Sequence, residues 1–219
     1  IINGAEDESI ENITAGRVEL EAGKTGEDTG DIGEKNKPIV IRPVPVLGGN
    51  DTVAASADGN VYLTLLKPEG ADPEAAAIAK VDIDAGGEAV LNTEGSTILT
   101  DASDIKAAGD ITINTEESLE IRTDNLHTEN GSVNINAGRD ITTGAVTASN
   151  GSVNLNAGGS IEADGITAGS GVTASAGEKL TLKDVDASGI KINAGSDAEI
   201  SAKTDAEITG IDEDSKVVG

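Results

Sequence analysis

Apolar and polar residues alternate along two adjacent units in the middle of the chain. Residues 130–149 read NGSVNINAGRDITTGAVTAS, and residues 150–169 read NGSVNLNAGGSIEADGITAG. In both units the apolar residues stand at matching places, as in Val133-Asn134-Ile135-Asn136-Ala137. Strict alternation is typical of a strand with one buried face. Each unit therefore predicts short strands separated by turns at Asn-Gly and Ala-Gly.

A tandem repeat of about twenty residues indicates one structural unit stacked on its copy. A unit of short strands cannot bury its own apolar face, whereas stacked copies can. We therefore predict an all-β fold, a right-handed parallel β-helix (a β-solenoid) of about ten coils with about twenty residues each. The first apolar positions of successive units fall at residues 111, 133, 153, 172 and 190. We expect one buried column made of Ile113, Ile135, Leu155, Ala174 and Ile192.

The chain outside the central units divides into regular and irregular parts. The same octet recurs at residues 16–23 and 80–86, so residues 1–23 are predicted as the first coils and residues 79–210 as regular coils. Residues 24–78 interrupt the rhythm, with two prolines inside the apolar run 39–47. They predict a local β insertion with strands outside the solenoid, and a short helical turn at residues 72–77. Residues 211–219 are predicted to be a frayed acidic tail.

The composition limits both the core and the partners. The 219 residues include 28 Gly and one Tyr but no Cys, Met, Trp or Phe, so the core must consist of Val, Ile, Leu and Ala. The formal net charge of −25 opposes binding to nucleic acid and to anionic membrane surfaces. The lack of Cys excludes disulfides and thiolate metal sites. No apolar run approaches the roughly eighteen residues needed to span a bilayer.

The repeats and one interrupting element resemble a known family. The tandem GSVNINAGRDITTGAVTAS units are similar to the repeats of filamentous haemagglutinin and related two-partner secretion exoproteins. Residues 32–39, IGEKNKPI, followed by residues 59–63, GNVYL, resemble an element that interrupts the repeats in members of this family. Together these stretches span most of residues 12–210. The family's amino-terminal secretion domain has no counterpart here, and we expect the chain to be a segment of a longer protein without its own signal peptide.

The resemblance implies a function class and a set of partners. Proteins of this family are very large, secreted adhesins attached to the surface of Gram-negative bacteria, where they mediate cell adhesion and virulence. The expected location is therefore extracellular, at the bacterial cell surface. The expected partners are a receptor or glycan on a host or bacterial surface and, for the full-length parent, an outer-membrane two-partner transporter. Since acidic residues stand near both ends, we expect a monomer at neutral pH.

Candidate chemical residues are few, and we predict no catalytic, cofactor-binding or metal-binding residues. His127, the single imidazole, falls in a polar stretch that predicts a solvated loop. Tyr62 alternates with Val61 and Leu63, so its ring is expected to cover the opposite face of the insertion. The alternative to a chain without a metal site is calcium ligation at residues 48–53, GGNDTV. This stretch lacks the third glycine of a calcium β-roll and occurs once.

Asparagines form two further patterns. Asn12, Asn50, Asn130 and Asn150 begin Asn-x-Ser/Thr acceptor sequences. The alternative interpretation of Asn130 and Asn150 is that Asn-Gly supplies a turn with positive φ. A second set precedes Ala-Gly at equivalent places and is expected to stack as an amide ladder between coils, namely Asn136, Asn156 and Asn193.

These observations predict a non-catalytic structural segment, the shaft of a secreted, surface-attached adhesin. Two alternatives stay open. Residues 24–78 could form a receptor- or carbohydrate-binding module, because insertions outside a solenoid usually carry specific contacts. The chain could also be a polysaccharide-active β-helix enzyme, although it has neither an aromatic sugar platform nor a distinguishable acid-base pair.

Overall fold

The computed structural model contains strands as its only regular elements among the residues that it describes. Those residues are 1–4, 11–23, 30–44, 51–70, 72, 76–203, 207–209 and 216–218. The first twelve strands are β1 (Ile13–Ala15), β2 (Arg17–Ala22), β3 (Ile39–Pro43), β4 (Asp51–Ala57), β5 (Val61–Leu65), β6 (Ala77–Ala85), β7 (Ala89–Thr93), β8 (Thr97–Leu99), β9 (Asp104–Ala107), β10 (Ile111–Thr115), β11 (Leu119–Ile121) and β12 (Leu126–Thr128). The remaining twelve are β13 (Val133–Ala137), β14 (Ile141–Thr143), β15 (Val146–Ala148), β16 (Ser152–Ala157), β17 (Ile161–Asp164), β18 (Ile166–Ala168), β19 (Gly171–Ala176), β20 (Leu180–Ala187), β21 (Gly189–Ala194), β22 (Ala198–Ala202), β23 (Glu207–Thr209) and β24 (Lys216–Val218).

The strands stack as a parallel β-solenoid, which confirms the predicted fold class. One sheet has ten strands in the order β1-β3-β5-β7-β10-β13-β16-β19-β21-β23, and we call it the first face. The second sheet has fourteen strands and bends around the other two sides of the solenoid. Its side containing β8, β11, β14 and β17 is the second face, and its side containing β4, β9, β12, β15 and β18 is the third face. In the central coils the chain visits the three faces in that order.

The register on the first face confirms the predicted spacing of the coils. Ile111 pairs with Val133, Val133 with Val153, Val153 with Val172 and Val172 with Ile190, at separations of 22, 20, 19 and 18 residues. The difference in length falls mainly in the turns, where extra residues do not disturb the ladder. Neighbouring coils therefore keep the same inward and outward positions.

The predicted core column is present. Ile113, Ile135, Leu155, Ala174 and Ile192 are register partners on the first face, and each is at most 2% exposed. Burial of each Ile or Leu side chain contributes about 1.5–3 kcal/mol. Because each coil supplies a few such side chains and no large aromatic ring, stability depends on the stacking of many coils.

Glycines at the corners allow the coils to approach each other. A Cβ atom on Gly158 would lie 2.2 Å from the carbonyl oxygen of Gly138, and one on Gly151 would lie 1.9 Å from that of Gly131. The prediction that Asn-Gly supplies positive φ is wrong, because Gly131 and Gly151 are not among the positive-φ residues of the described chain. These turns require glycine because the backbone of the preceding coil leaves no space for a side chain.

The predicted insertion does not lie outside the solenoid where its strands are described. β3 and β5 pair within the first face, and β4 joins β2 to β6 in the other sheet. The strands of residues 24–78 are therefore parts of coils, because their alternating apolar residues continue the same buried columns. The predicted helical turn falls largely on residues 73–75, outside the described residues. At the tail, Lys216–Val218 forms β24 against β22 instead of fraying, and residues 211–215 lie outside the described residues.

Two of the repeated octets lie on another face than the central ones. β10, β13 and β16 belong to the first face, whereas residues 16–23 contain β2 and residues 80–86 contain most of β6, which pair on the third face. The alternating pattern thus predicts correctly which side chains point inward. It does not distinguish the faces, because all three bury the same kinds of residue.

Candidate functional site

Tyr62 anchors a tight turn on the first face. Ile32 forms a bridge to Val61, and Ile39 pairs with Leu63. The first residues of these two pairs are seven positions apart in the chain, whereas the second residues are only two positions apart. The extra residues form a turn that is closed by a bridge between Glu34 and Lys37. The ring of Tyr62 is 7% exposed, and its hydroxyl donates to a Glu88 carboxylate oxygen. Burial, together with this acceptor, raises the pKa of the phenol above its ordinary value. The ring lies on the opposite side of β5 from Val61 and Leu63, as predicted, since those two residues belong to the buried core cluster and Tyr62 does not.

The Glu88 carboxylate connects this turn to the next coil. Lys35 Nζ lies 3.4 Å from it, and the backbone N–H of Glu88 donates to Asn60 Oδ1 at 2.8 Å. Asp31 Oδ1 accepts from the backbone N–H of Asn60 at 2.6 Å. Within the interrupting element, IGEKNKPI and GNVYL, the residues Lys35, Asn60 and Tyr62 therefore bond the turn to the neighbouring coil.

His127 lies on a strand and not in the predicted loop. It occupies the middle of β12 and points outward on the third face, between the register partners Lys106 and Thr147. Its side chain is half-buried. No serine or cysteine nucleophile is bonded to it among the hydrogen bonds of the described residues.

The described acceptor asparagines Asn12, Asn130 and Asn150 are all exposed, and they differ in their hydrogen bonds. The Asn12 side chain is engaged, because its amide donates to Asn3 Oδ1 and its oxygen accepts from the backbone N–H of Val40, both at 2.8 Å. Asn130 and Asn150 are exposed and stand one above the other in adjacent coils. Asn50 and the glycines of the calcium-like stretch 48–53 lie outside the described residues.

An amide ladder runs up the outer side of the first face. Asn114 Nδ2 donates to Asn92 Oδ1 at 2.8 Å, and Asn136 Nδ2 donates to Asn114 Oδ1 at 2.9 Å. A second column of outward residues, two positions earlier on each strand, contains the bond from Asn154 Nδ2 to Asn134 Oδ1, also at 2.8 Å. The predicted ladder is thus partly right. Asn136 belongs to it and Asn156 is its register partner, but Ser175 separates Asn156 from Asn193.

An acidic groove of about 540 Å³ lies on the third face. The small residues Ala54 and Ser56 form part of its lining between more acidic coils. Asp82 and Asp104 are register partners, and Lys80 and Lys106 pair with one oxygen of each. The remaining oxygens of Asp82 and Asp104 are buried and accept no hydrogen bond within the described chain. Sequence reasoning missed this carboxylate pair, because the residues are 22 positions apart and only the register brings them together.

The electrostatics of this groove favour cations. Its lining contains two lysines and six carboxylates, namely Glu19, Glu21, Asp82, Asp84, Asp101 and Asp104. The hydrogen bond and charge of Asp104 raise the pKa of Lys106. Among the described residues, however, no three side chains of His, Cys, Asp or Glu are arranged to hold a metal ion. The groove is therefore negatively charged, but its described side chains do not form a set of metal ligands.

Neither the search for membrane-spanning helices nor the comparison with known proteins indicates a function for this chain. Within the described ranges, no helix has the length and apolar character needed to cross a bilayer. Comparisons with protein-family models, curated proteins and solved structures found no match.

Proposed function

We propose that this chain is a non-catalytic structural segment, the shaft, of a large secreted bacterial adhesin attached to the cell surface. The observation that carries the proposal is the unbroken ladder of the first face, in which ten strands pair in chain order from β1 to β23. At about 4.8 Å per strand, this ladder spans roughly 45 Å. Every interior coil is hydrogen-bonded on both sides, which suits a rod that carries another part of the protein away from a surface.

The repeat of residues 131–150 allows a direct test of the shaft role. Duplication of these residues adds one coil whose inward residues match both neighbours, so the protein should stay folded and lengthen by about 4.8 Å. Small-angle X-ray scattering and circular dichroism measure both effects. Unfolding, or a compact particle of unchanged length, would contradict a modular shaft.

The adhesin part of the proposal needs a cellular measurement. Antibodies raised against the purified chain should label intact, unpermeabilised cells that express the parent protein. They should also label fewer cells when a neighbouring outer-membrane transporter gene is deleted. Labelling that requires permeabilisation would argue against a surface shaft even if the rod lengthens as expected.

A binding role for residues 24–78 is the second candidate. It is favoured by the turn between Glu34 and Lys37, which precedes β3 on the first face and presents Lys35 with its side chain 70% exposed. Binding on a glycan array that Lys35→Ala removes without a change in melting temperature would support this role. Unchanged binding in that variant would locate the contacts elsewhere.

A further inference from the structure

The outer side of the first face carries a long strip without charge. From β5 to β19, two outward positions per strand hold only amide, hydroxyl or uncharged side chains. We call these residues the uncharged strip: Tyr62, Thr64, Val90, Asn92, Thr112, Asn114, Asn134, Asn136, Asn154, Asn156, Thr173 and Ser175. Arg42 and Lys191 bound it at either end. The chain has 40 acidic and 15 basic residues, 55 charged residues in total. The lack of charged side chains on this strip therefore defines a distinct surface.

The other faces differ from the strip. Outward positions on the second face include Glu120 and Glu162, and those on the third face include Asp82 and Lys106. The strip therefore offers a ligand polar groups at outward positions of six successive strands without a charged side chain among them.

Bonds between coils hold five amides of the strip in one orientation, namely Asn92, Asn114, Asn136, Asn134 and Asn154. Asn114 donates one N–H to Asn92 and accepts one bond from Asn136, so its second N–H and its second oxygen lone pair remain available. Because the ladder fixes these side chains, a ligand loses little additional conformational entropy when it binds them. An amide recurs at the same outward position in four successive coils, as Asn92, Asn114, Asn136 and Asn156, at the strand spacing of about 4.8 Å.

A shallow groove lies beside the ladder. Its volume is about 400 Å³, and Thr64, Asn92 and Asn114 line it together with Glu94 and Glu116. The lining thus combines hydroxyl and amide groups of the strip with two carboxylates. An elongated ligand can therefore lie along the strip and extend into this groove.

The observations favour one occupant. A polyanion is opposed by the net charge of −25, and the strip itself offers no carboxylate to a cation. A protein partner would need apolar or aromatic anchors, whereas the single aromatic residue, Tyr62, is 7% exposed. By strand dimensions, a second copy of the chain would bury only about 500 Å² on the strip, below the roughly 800 Å² per partner of a stable interface.

We propose that the uncharged strip binds an uncharged polysaccharide lying along the solenoid axis. Sugar hydroxyls both donate and accept, so they complement the free N–H and lone pair of each amide. Individual contacts of this kind are weak, and the repeat of the site over successive coils raises the overall affinity. This proposal goes beyond the shaft role and does not depend on it.

Affinity electrophoresis of the full chain in native gels tests the proposal. The gels contain hydroxyethyl cellulose, galactomannan or dextran as uncharged probes, and alginate as an anionic probe. The chain should be retarded in at least one uncharged gel and not in alginate. The variant Asn114→Ala/Asn136→Ala should bind about fivefold more weakly or worse, because each lost hydrogen bond costs a similar factor. Thr147→Ala/Thr167→Ala, on the third face, should bind as the parent chain does.

Two measurements keep the result interpretable. Asn156→Ala removes an exposed amide for which no ladder bond is found, so it tests the strip without disturbing the ladder. Thermal melts show whether each variant is folded. Migration unchanged in all three uncharged gels overturns the proposal, as does equal retardation of the parent chain and the folded strip variants. Dimerisation in sedimentation velocity that Asn114→Ala/Asn136→Ala abolishes would assign the strip to a second copy and also overturn it.

Discussion

Thr93 and Thr115 are register partners in one inward column of the first face, but their hydroxyls have different environments. Thr115 Oγ1 donates to the carbonyl oxygen of Gly95 at 2.6 Å, whereas Thr93 Oγ1 is buried without a partner in the described chain. A buried unpaired hydroxyl is destabilising. Thr93→Val should therefore raise the free energy of unfolding by about 1 kcal/mol, and Thr115→Val should lower it by about 1 kcal/mol. Urea unfolding measures both, and a shift of the same sign would contradict this assignment.

Charge placed inside the core column should be costly. Ile135 is fully buried, so Ile135→Asp should lower the free energy of unfolding by several kcal/mol or prevent folding. Asn134→Asp is the matched control, because residue 134 points outward and its oxygen can still accept the bond from Asn154. The control should change the free energy by less than about 1 kcal/mol. Equal losses in thermal melts would show that the inward and outward positions are assigned wrongly.

The corner glycines can be tested with a matched pair. Gly158→Ala places a Cβ atom against the Gly138 carbonyl oxygen and should destabilise the fold by about 1–3 kcal/mol. Gly189→Ala meets no atom within 4 Å, and its φ is not positive. It should be neutral or stabilising by up to about 1 kcal/mol, because alanine restricts the unfolded chain. Chemical denaturation compares the two variants, and a harmless Gly158→Ala would rule out the steric explanation.

Asp184 has a backbone conformation that favours glycine. Its φ is 49°, and it occupies the place that Gly165, with φ 75°, holds in the preceding coil. The ion pair of Asp184 with Lys203 is long and exposed, so it contributes little. Asp184→Gly should raise the free energy of unfolding by about 1 kcal/mol. Asp186→Gly, nearby on the same strand, should lower it by about 0.5–1 kcal/mol, and calorimetry should find shifts of opposite sign.

The single tyrosine gives a spectroscopic test of the first-face turn. Burial and the Glu88 acceptor raise the pKa of Tyr62, so phenolate absorbance should begin to increase at a higher pH than in the unfolded chain. The folded state holds the phenol proton more tightly than the unfolded chain does. The contribution of Tyr62 to the free energy of unfolding is therefore fully present below about pH 10 and decreases as the pH rises further. Tyr62→Phe should remove the part of this pH dependence that comes from the phenol. In Glu88→Gln the pKa should move toward its ordinary value, and an unshifted pKa in the parent chain would contradict the buried position.

The candidate surfaces were partly predictable from the sequence. The asparagines before Ala-Gly indicated a ladder, and their spacing located Asn136 in it. The pairing of Asp82 with Asp104 was not predictable, because residues 80–86 repeat the pattern of the central units yet lie on another face. The role of residues 33–38 was also hidden, since a turn that fits between two paired strands has the same composition as an extruded loop.

The sequence by itself determined that this chain is a parallel solenoid with a core of small aliphatic side chains. Alternation fixes which side of each strand is buried, and the tandem repeat fixes the coil spacing. Only the tertiary structure decided which strands share a face, because hydrogen bonds between coils set the register of residues about twenty positions apart. That register creates the uncharged strip from residues 62–175, places the acidic groove on the third face, and brings residues 39–65 into the solenoid.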